Sequence, residues 1–234
     1  MTVHLVGAGP GDPELITVRG ARLIATADVI LHDRLAEPLL ALAGADAEII
    51  DVGKAPGSAP TSQDDINALL VEHGRRHDTV VRLKGGDPYI FARGAEEVEA
   101  LRAAGVDYAV VPGISSVLAA PTAAGAPLTC RGVTRTFTVL SGHEEPDAWA
   151  PGYAEALVAL GGTIVVMMGA ARMARIATHL IAAGADPTTP VAAAKSVTTP
   201  DEVIARATLG DVEPALLASP TVFVIGQVAA IDLR

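Results

Sequence analysis

The chain has 234 residues, of which 50% are hydrophobic and only 3% aromatic, and its formal net charge is −10 at pH 7. This acidic balance argues against nucleic acid and against an anionic membrane surface as partners, since both select for basic proteins. The single cysteine, Cys130, excludes an intrachain disulfide and a cysteine-rich metal site. The length suits one large domain or two small ones, and the aliphatic composition is typical of an α/β protein.

The first residues, MTVHLVG, lack the basic region and the long apolar run of a secretory signal. Each apolar stretch is interrupted by Gly, Pro or a charged residue well before the roughly 20 residues that a membrane helix needs. We therefore expect a soluble, cytoplasmic protein with no membrane partner.

Short apolar runs alternate with helical patterns through the first half of the chain. Strands are predicted at Val3–Gly7, Asp28–His32, Glu48–Val52, Thr79–Leu83 and Tyr108–Val111. Between them, apolar residues recur at helical spacing at Ile66, Leu69, Leu70, Val98 and Leu101. Ser62 and Asp65 have the spacing of a capping box at a helix start. This β-α-β order predicts a mostly parallel sheet with helices on both faces.

The stretch GAPLTCRGVTR, at 125–135, contains turn residues without a clear period and is interpreted as a linker. Four strand-like runs follow it, TFTVLSG, TIVVMMG, TPVAAAKSV and TVFVIGQV, with fewer helical patterns between them. We predict an N-terminal α/β domain at 1–126, a linker at 127–135, and a smaller C-terminal α/β domain with a mixed sheet at 136–234.

The first predicted strand leads into a glycine loop, VGAGPGDPELIT. A dinucleotide-binding turn has the spacing G-x-G-x-x-G and a free helix N-terminus for the pyrophosphate. Here the glycines are spaced G-x-G-x-G, and Asp12 with Pro13 predicts a capped helix start whose carboxylate would repel a phosphate. Asp33, which ends the second strand, nevertheless imitates a ribose-binding acid. An NAD site, a turn without a ligand, and a site for a ligand without phosphates all stay open.

The most informative segment is VVRLKGGDPYIFARGAEEVEAL, which follows the fourth predicted strand. Gly85 and Gly86 allow the backbone to approach a ligand closely. The Asp87 carboxylate beside them suits a cationic ligand such as an amino group or a sulfonium, although an Asp-Pro turn without a ligand explains it equally well.

Two further polar groups follow the fourth and fifth predicted strands. Arg93 and Glu96 lie three residues apart and therefore share a helix face, either as a solvated ion pair or as a clamp for an acidic substrate. Ser115 and Ser116 follow the turn VPG, where their hydroxyls would cap a helix or contact a ligand.

No metal-binding set is predicted, because the six histidines are scattered. His73 and His77 are spaced i, i+4, which is more typical of a polar helix face than of a zinc site. Glu96 and Glu97 cannot share a helix face, which argues against a two-carboxylate hydrolase. No G-x-S-x-G elbow or Walker loop occurs in the sequence.

Together these segments resemble the uroporphyrinogen-III C-methyltransferases, which form part of the tetrapyrrole methylase superfamily. The resemblance is carried by VGAGPGDPELIT, ADVILHDRL, VGK, QDDINALL, RLKGGDPYIFARGAEE, VVPGISS, GAPLTCRG, SGH and MG, in order and spacing. It covers essentially the whole chain. The segment RLKGGDPYIF-R with an acidic pair is specific to this subfamily.

The resemblance implies two α/β domains with an active-site cleft between them, S-adenosyl-L-methionine as the methyl donor, S-adenosyl-L-homocysteine as its product, and no metal. It implies a homodimer that methylates carbons 2 and 7 of uroporphyrinogen III, giving precorrin-2 by way of precorrin-1. The pathway, cobalamin, sirohaem or haem d1, stays open. A cofactor without phosphates agrees with the Asp12 carboxylate at the first loop, and a polycarboxylate substrate requires a local basic patch.

Residue roles follow from the motif positions that the resemblance matches. Cofactor contacts are implied at Pro10, Gly85, Gly86, Asp87, Ile90, Ser115, Ser116, Met168, Ala192 and Val197. Substrate contacts are implied at Arg93, Glu96, Arg131 and Met168, with Lys54, Arg34 and Arg22 completing the basic patch. Asp33 and Lys54 match the proton acceptor and donor, and Arg93 is a rival to Asp33 for assisting proton removal.

The sequence departs from the usual family pattern at Ala95, Cys130, Met167 and Val197. The last of these makes the cofactor contact at Val197 the least supported. Three alternatives are weighed against the methyltransferase: an enzyme acting on a later precorrin, a non-catalytic protein that keeps the cofactor fold, and an NAD oxidoreductase. The segment LKGGDP and the Arg93–Glu96 pair argue against the first of them. Asp33, Lys54, Arg93 and Arg131 argue against the second.

Overall fold

The computed structural model describes residues 1–53, 61–212 and 218–234. Its internal contacts divide the chain into two units, Met1–Ser115 and Ser116–Arg234. Each unit contains one five-stranded sheet. Among the described residues, no helix combines the length and the apolar character needed to cross a membrane.

The first unit is built on a parallel sheet. Its strands are β1 (Thr2–Gly7), β2 (Val29–His32), β3 (Glu48–Asp51), β4 (Thr79–Lys84) and β5 (Tyr108–Val111). They are ordered β3-β2-β4-β1-β5, so that β4 lies in the middle, and every neighbouring pair is parallel. The predicted strands and the predicted parallel pairing are confirmed, with strand ends that agree to within a residue.

Helical segments cover both faces of this sheet, as the β-α-β order predicts. The α-helices are α1 (Val18–Ala25), α2 (Gln63–Gly74) and α3 (Gly94–Ala103), and a 3-10 segment covers Arg34–Leu42. Leu70 of α2 and Leu101 of α3 pack against one face, whereas Ile24 of α1 and Leu39 of the 3-10 segment pack against the other. Alternate residues of each strand enter the two cores because side chains alternate along a strand.

The second unit is built on a mixed sheet. Its strands are β6 (Phe137–Ser141), β7 (Thr163–Met167), β8 (Pro190–Lys195), β9 (Val203–Thr208) and β10 (Thr221–Ile225), ordered β6-β7-β10-β8-β9. Only β6 and β7 pair in parallel within this sheet, so the predicted mixed sheet is confirmed. The sequence interpretation missed β9, an edge strand whose residues are mostly exposed or half-buried.

The helices of the second unit are α4 (Ser116–Ala123), α5 (Tyr153–Leu160) and α6 (Met173–Ala182). Helix α4 contacts β8 and β10, and the following residues Ala124 and Ala126 share a core with Ala192 and Val224. This packing explains why the division falls between Ser115 and Ser116. It differs from the sequence-based boundaries at 1–126, 127–135 and 136–234, which place this helix in the N-terminal domain.

Helix α2 begins with the predicted capping box. The Ser62 hydroxyl oxygen accepts a hydrogen bond from the Asp65 backbone N–H at 3.1 Å, and the Asp65 carboxylate accepts one from the Ser62 N–H at 3.3 Å. We expect Ser62→Ala to lower the free energy of unfolding by about 1 kcal/mol, the usual cost of removing such a cap.

Urea denaturation measures this change, and Thr178→Ala is the matched control. Thr178 is exposed in the middle of α6, where its hydroxyl donates to the Ala174 carbonyl oxygen, so its removal leaves no helix end uncapped. Equal stability losses in the two variants would contradict the capping role of Ser62.

Candidate functional site

The backbone segments that follow β1, β4 and β5 pack against one another without side chains between them. A Cβ atom added to Gly113 would lie 2.2 Å from the Gly86 carbonyl oxygen, and one added to Gly7 would lie 2.5 Å from the Gly113 nitrogen. Gly9 and Gly86 exchange two backbone hydrogen bonds, at 3.2 and 2.8 Å, and both have a positive φ. These glycines therefore form a cradle at the carboxyl edge of the parallel sheet, where ligands commonly bind.

The first loop does not lead directly into an α-helix. As predicted, the Asp12 carboxylate accepts from a backbone N–H, that of Glu14 at 2.8 Å, and Pro13 opens a helical turn. That turn is a 3-10 helix of three residues, and α1 starts only at Val18, with its own cap from the Thr17 hydroxyl. A dinucleotide turn needs a helix N-terminus aimed at the pyrophosphate. This geometry argues against the NAD interpretation.

Asp87 connects the second loop to the third. One carboxylate oxygen accepts from the Tyr89 N–H at 2.8 Å, and the other accepts from the Gly113 N–H at 3.1 Å. Asp87 therefore has a structural role that needs no ligand. Each carboxylate oxygen has a second lone pair, so a contact between Asp87 and a cationic group stays a prediction.

The other cofactor positions predicted in the first unit lie around the same loops. Pro10 follows Gly9 and is half-buried, and a Cβ added to Gly86 would lie 3.7 Å from the Ser115 Cα. Gly85 lies beside Leu35, which would be 3.2 Å from an added Cβ. Ile90 is exposed in the segment before α3.

Arg93 and Glu96 form an ion pair at the start of α3, as predicted, but Arg93 is the left-handed residue that precedes the helix, with φ 59°, and does not lie on a helix face. Arg93 Nε donates to one Glu96 carboxylate oxygen at 2.8 Å and Nη2 to the other at 2.6 Å. This hydrogen bonding holds the pKa of the Glu96 carboxyl below its usual range. The side chains are 59% and 48% exposed, so the pair adds little stability, and the guanidinium fork is accessible to other carboxylates.

Asp33 lies at the end of β2, beside the end of β4. Its backbone N–H donates to the Leu83 carbonyl oxygen at 3.1 Å, and its carboxylate, one-third exposed, accepts from Arg82 Nη2 at 2.5 Å. Lys54, the predicted proton donor, lies outside the described residues.

The remaining predicted positions belong to the second unit. Ser116 begins α4. Met168 follows β7, is 44% exposed and has φ 55°. Ala192 is buried in β8 opposite Val224, and Val197 is buried just after that strand. Arg131 is exposed in the turn whose ends, Cys130 and Thr134, form an isolated bridge.

The sequence interpretation missed a buried ionic network next to Asp33. Arg82 and Lys84 on β4 both contact Glu97 on α3, at 3.0 and 2.8 Å to the same carboxylate oxygen. Glu97 is fully buried. Burial lowers the pKa of the Lys84 ammonium and the Arg82 guanidinium lowers it further, whereas Glu97 and Asp33 raise it. The sequence signal for this network was the pair of cations in the otherwise apolar strand segment VVRLKGG. Because Arg and Lys are rarely buried unless paired, two cations in a buried strand indicate a buried acidic partner.

Among the described residues, one group of potential metal ligands lies close together, and it consists of Glu48, His73 and His77. Their ligand atoms lie within 4.8 Å of one another. Glu48 begins β3, so this group lies at the amino end of the sheet, whereas the glycine loops follow the carboxyl ends of their strands. The sequence interpretation considered the two histidines without the glutamate.

Comparisons with known proteins agree over nearly the whole chain. Residues 2–213 match the family of Tetrapyrrole (Corrin/Porphyrin) Methylases. An S-adenosyl-L-methionine-dependent uroporphyrinogen III methyltransferase of Methanosarcina barkeri is 43% identical over 232 residues, which cover 97% of this chain and 91% of that protein.

Two solved structures share the fold. A uroporphyrin-III C-methyl transferase of Thermus thermophilus, complexed with S-adenosyl homocysteine, has a TM-score of 0.83 and 41% identity, covering 98% of this chain and 99% of its own. A cobalt precorrin-4 methyltransferase has a TM-score of 0.86 and 29% identity, covering 97% of this chain and 95% of its own.

Proposed function

The chain belongs to the tetrapyrrole (corrin/porphyrin) methylase family, and we propose that it transfers methyl groups from S-adenosyl-L-methionine to carbon atoms of uroporphyrinogen III. The observation that carries this proposal is the 43% identity over 97% of the chain to a methyltransferase of that specificity. The product is precorrin-2, made by way of precorrin-1.

The glycine loops of the first unit fit a cofactor without phosphates. Their cradle has no room for a Cβ at Gly7 or Gly113, and the Asp12 carboxylate would repel a phosphate at the first loop. Asp87 would face the cationic amino or sulfonium group, while the exposed Ile90 would supply apolar contact. When bound, S-adenosyl-L-methionine supplies the methyl group and leaves as S-adenosyl-L-homocysteine.

The substrate requires cations on an acidic protein. Arg93 and Arg131 are both exposed, and Arg93 presents its fork from the start of α3. A guanidinium binds a carboxylate with two parallel hydrogen bonds, which orients as well as attracts the substrate. Glu96 would hold Arg93 in place until a substrate carboxylate competes for it.

One proton must leave the tetrapyrrole after each methyl transfer. A guanidinium stays protonated in proteins and has no acceptor atom, so Arg93 is a poor base. Asp33 has a partly exposed carboxylate at the carboxyl edge of the sheet. We therefore assign proton removal to Asp33 and substrate binding to Arg93, with Lys54 as the proton donor that the family resemblance implies.

An enzyme acting on a later precorrin is the second candidate. The TM-scores of 0.83 and 0.86 do not separate the two activities, because both neighbours have the same fold. Sequence identity does separate them, at 41% for the uroporphyrin enzyme against 29% for the precorrin-4 enzyme. Uroporphyrinogen III is therefore the substrate to test first.

Anaerobic incubation with uroporphyrinogen III and S-adenosyl-L-methionine, followed by oxidation and mass spectrometry, tests the proposal. We expect a product with two added methyl groups. One added methyl group would mean release at precorrin-1. Binding of S-adenosyl-L-homocysteine without any methylation would contradict the substrate and favour the later-precorrin activity.

The same proposal includes a homodimer, which is drawn from the family resemblance, and the cytoplasmic location that is expected from the sequence. Light scattering on the purified chain measures its mass in solution. A monomer at the concentration used in the activity assay would contradict the homodimer.

A further inference from the structure

A buried chain of charges connects the interior of the first unit to Asp33. Glu97 on α3 bonds Arg82 on β4, and Arg82 in turn bonds Asp33 at the end of β2. Arg82 and Glu97 are essentially inaccessible to solvent, whereas Asp33 is one-third exposed. The carboxylate of Asp33 is thus the outer end of a network that is otherwise enclosed.

Such a network is expensive, and its net charge explains how it is tolerated. Removing ions from water costs several kcal/mol each unless they are paired and hydrogen-bonded. Here Arg82 and Lys84 balance Glu97 and Asp33. Glu97 Oε1 also lies 3.5 Å from the Gln63 amide, while Oε2 is buried and has no hydrogen-bond partner among the described residues. Stability alone is a weak reason for this arrangement, because apolar residues of similar volume often serve as well.

The geometry of Arg82 suits it for orienting another side chain. Nε donates to Glu97 at 3.0 Å, Nη1 to the Leu83 carbonyl oxygen at 3.2 Å, and Nη2 to Asp33 Oδ1 at 2.5 Å. Since the guanidinium is planar, its first two bonds fix the direction in which Nη2 points. Among the described residues, the hydrogen bond that Asp33 accepts through its side chain is at Oδ1, and the side chain is 33% exposed, so its carboxylate is accessible to a substrate.

We propose that Arg82 is a positioning residue for Asp33, and that Glu97 holds Arg82 in the orientation that this requires. The inference rests on the proposed function. In the assigned step, methyl transfer leaves a cationic tetrapyrrole whose methylated ring carbon is fully substituted and carries no hydrogen. A proton bound at a position conjugated with that cation, such as the neighbouring bridging carbon, then moves to Asp33 Oδ2, and the electron pair of the broken bond neutralises the cation. Arg82 touches neither the substrate nor the cofactor in this step. It acts by aligning the acceptor oxygen.

A double-mutant cycle tests this role, with kcat for methyl transfer to uroporphyrinogen III as the readout. We expect Arg82→Lys, which keeps the charge but loses the planar fork, to lower kcat by about tenfold to a hundredfold, as small misplacements of catalytic groups do. The affinity for S-adenosyl-L-homocysteine and the melting temperature stay close to those of the unsubstituted chain. In an Asp33→Asn background, Arg82→Lys should change kcat by no more than about twofold.

Two further variants complete the experiment. Arg76→Lys is the matched control, because Arg76 pairs with Glu72 at an exposed position, and it should leave kcat unchanged. Glu97→Gln keeps the shape of the buried acceptor but removes its charge, and we expect it to lower kcat, as Arg82→Lys does. It replaces that variant if Arg82→Lys does not fold.

The outcomes separate this inference from the function on which it rests. Equal effects of Arg82→Lys with and without Asp33 would overturn the positioning role. A parallel loss of cofactor affinity, melting temperature and kcat would identify a structural residue and overturn it as well. If the unsubstituted chain transfers no methyl group to uroporphyrinogen III, the proposed function itself is overturned, and the positioning role falls with it.

Discussion

Replacing Arg93 with alanine is expected to lower methyl transfer to uroporphyrinogen III by at least about a hundredfold, the scale that follows from losing substrate alignment. Binding of S-adenosyl-L-homocysteine should stay unchanged. The expectation follows from where the guanidinium lies, since it is exposed at the start of α3 and bonded to Glu96 rather than to the glycine loops. Removing it takes away a two-pronged carboxylate ligand without disturbing the loop backbone.

Arg102→Ala is the matched control for Arg93→Ala. Arg102 is an exposed arginine in the last turn of the same helix. Its replacement removes the same charge but leaves the Arg93 guanidinium, which is assigned to the substrate, in place. Steady-state kinetics and isothermal titration calorimetry report turnover and cofactor affinity separately. Near-normal turnover of Arg93→Ala would refute the substrate-binding role of Arg93. Weakened binding of S-adenosyl-L-homocysteine would indicate that Arg93 supports the glycine loops and the cofactor instead.

The second large effect is expected from Gly113→Ala, which should lower the free energy of unfolding by at least about 3 kcal/mol, at the upper end of the usual cost of overpacking. The added Cβ would lie 2.2 Å from the Gly86 carbonyl oxygen and 2.7 Å from the Gly7 Cα. These are backbone atoms, which cannot rotate away as a side chain would. Because relief requires the loops after β1, β4 and β5 to separate, affinity for S-adenosyl-L-homocysteine should fall as well.

Gly105→Ala separates crowding from backbone strain. Gly105 has φ 67°, and an added Cβ there would meet nothing within 4 Å. Its replacement therefore costs only the strain of a left-handed residue, about 1–2 kcal/mol. Chemical denaturation of both variants gives the comparison. If Gly113→Ala costs no more than Gly105→Ala, the three loops are not as tightly packed as the structure has them.

The parts of the fold that the sequence predicted are those with a local cause. The strands of the first unit are short and mostly apolar runs, and the capping box at Ser62 depends on residues three positions apart. The missed strand β9 alternates Arg and Thr with apolar residues on a sheet edge, so its pattern is weak. The division at Ser115 was missed because the packing of α4 on β8 and β10 depends on strands far along the chain.

In the candidate site, too, the features that the sequence predicted are those with a local cause. The Arg93–Glu96 pair was predictable because the two residues are close in sequence, although Arg93 lies just before α3 with φ 59° and not on a helix face as predicted. The partner of Asp87, the Gly113 N–H, lies beyond β5 and is found only when the strands are ordered. Glu97 shows the limit most clearly. Its position beside Glu96 indicated only that the two acids do not share a helix face, whereas the structure shows that α3 turns Glu97 inward onto two cations of β4.

The two cations of β4 also bear on how the first sheet reaches a single arrangement. Side chains alternate along a strand, so a shift of β4 by one residue would turn Arg82 and Lys84 toward the face that holds Ile24 and Leu39. Both cations would then be buried without a carboxylate, at a cost of several kcal/mol for each. Since β4 lies in the middle of the sheet, this penalty constrains the strands on either side. The charges that hold Asp33 thus also disfavour a sheet in which β4 is shifted by one residue.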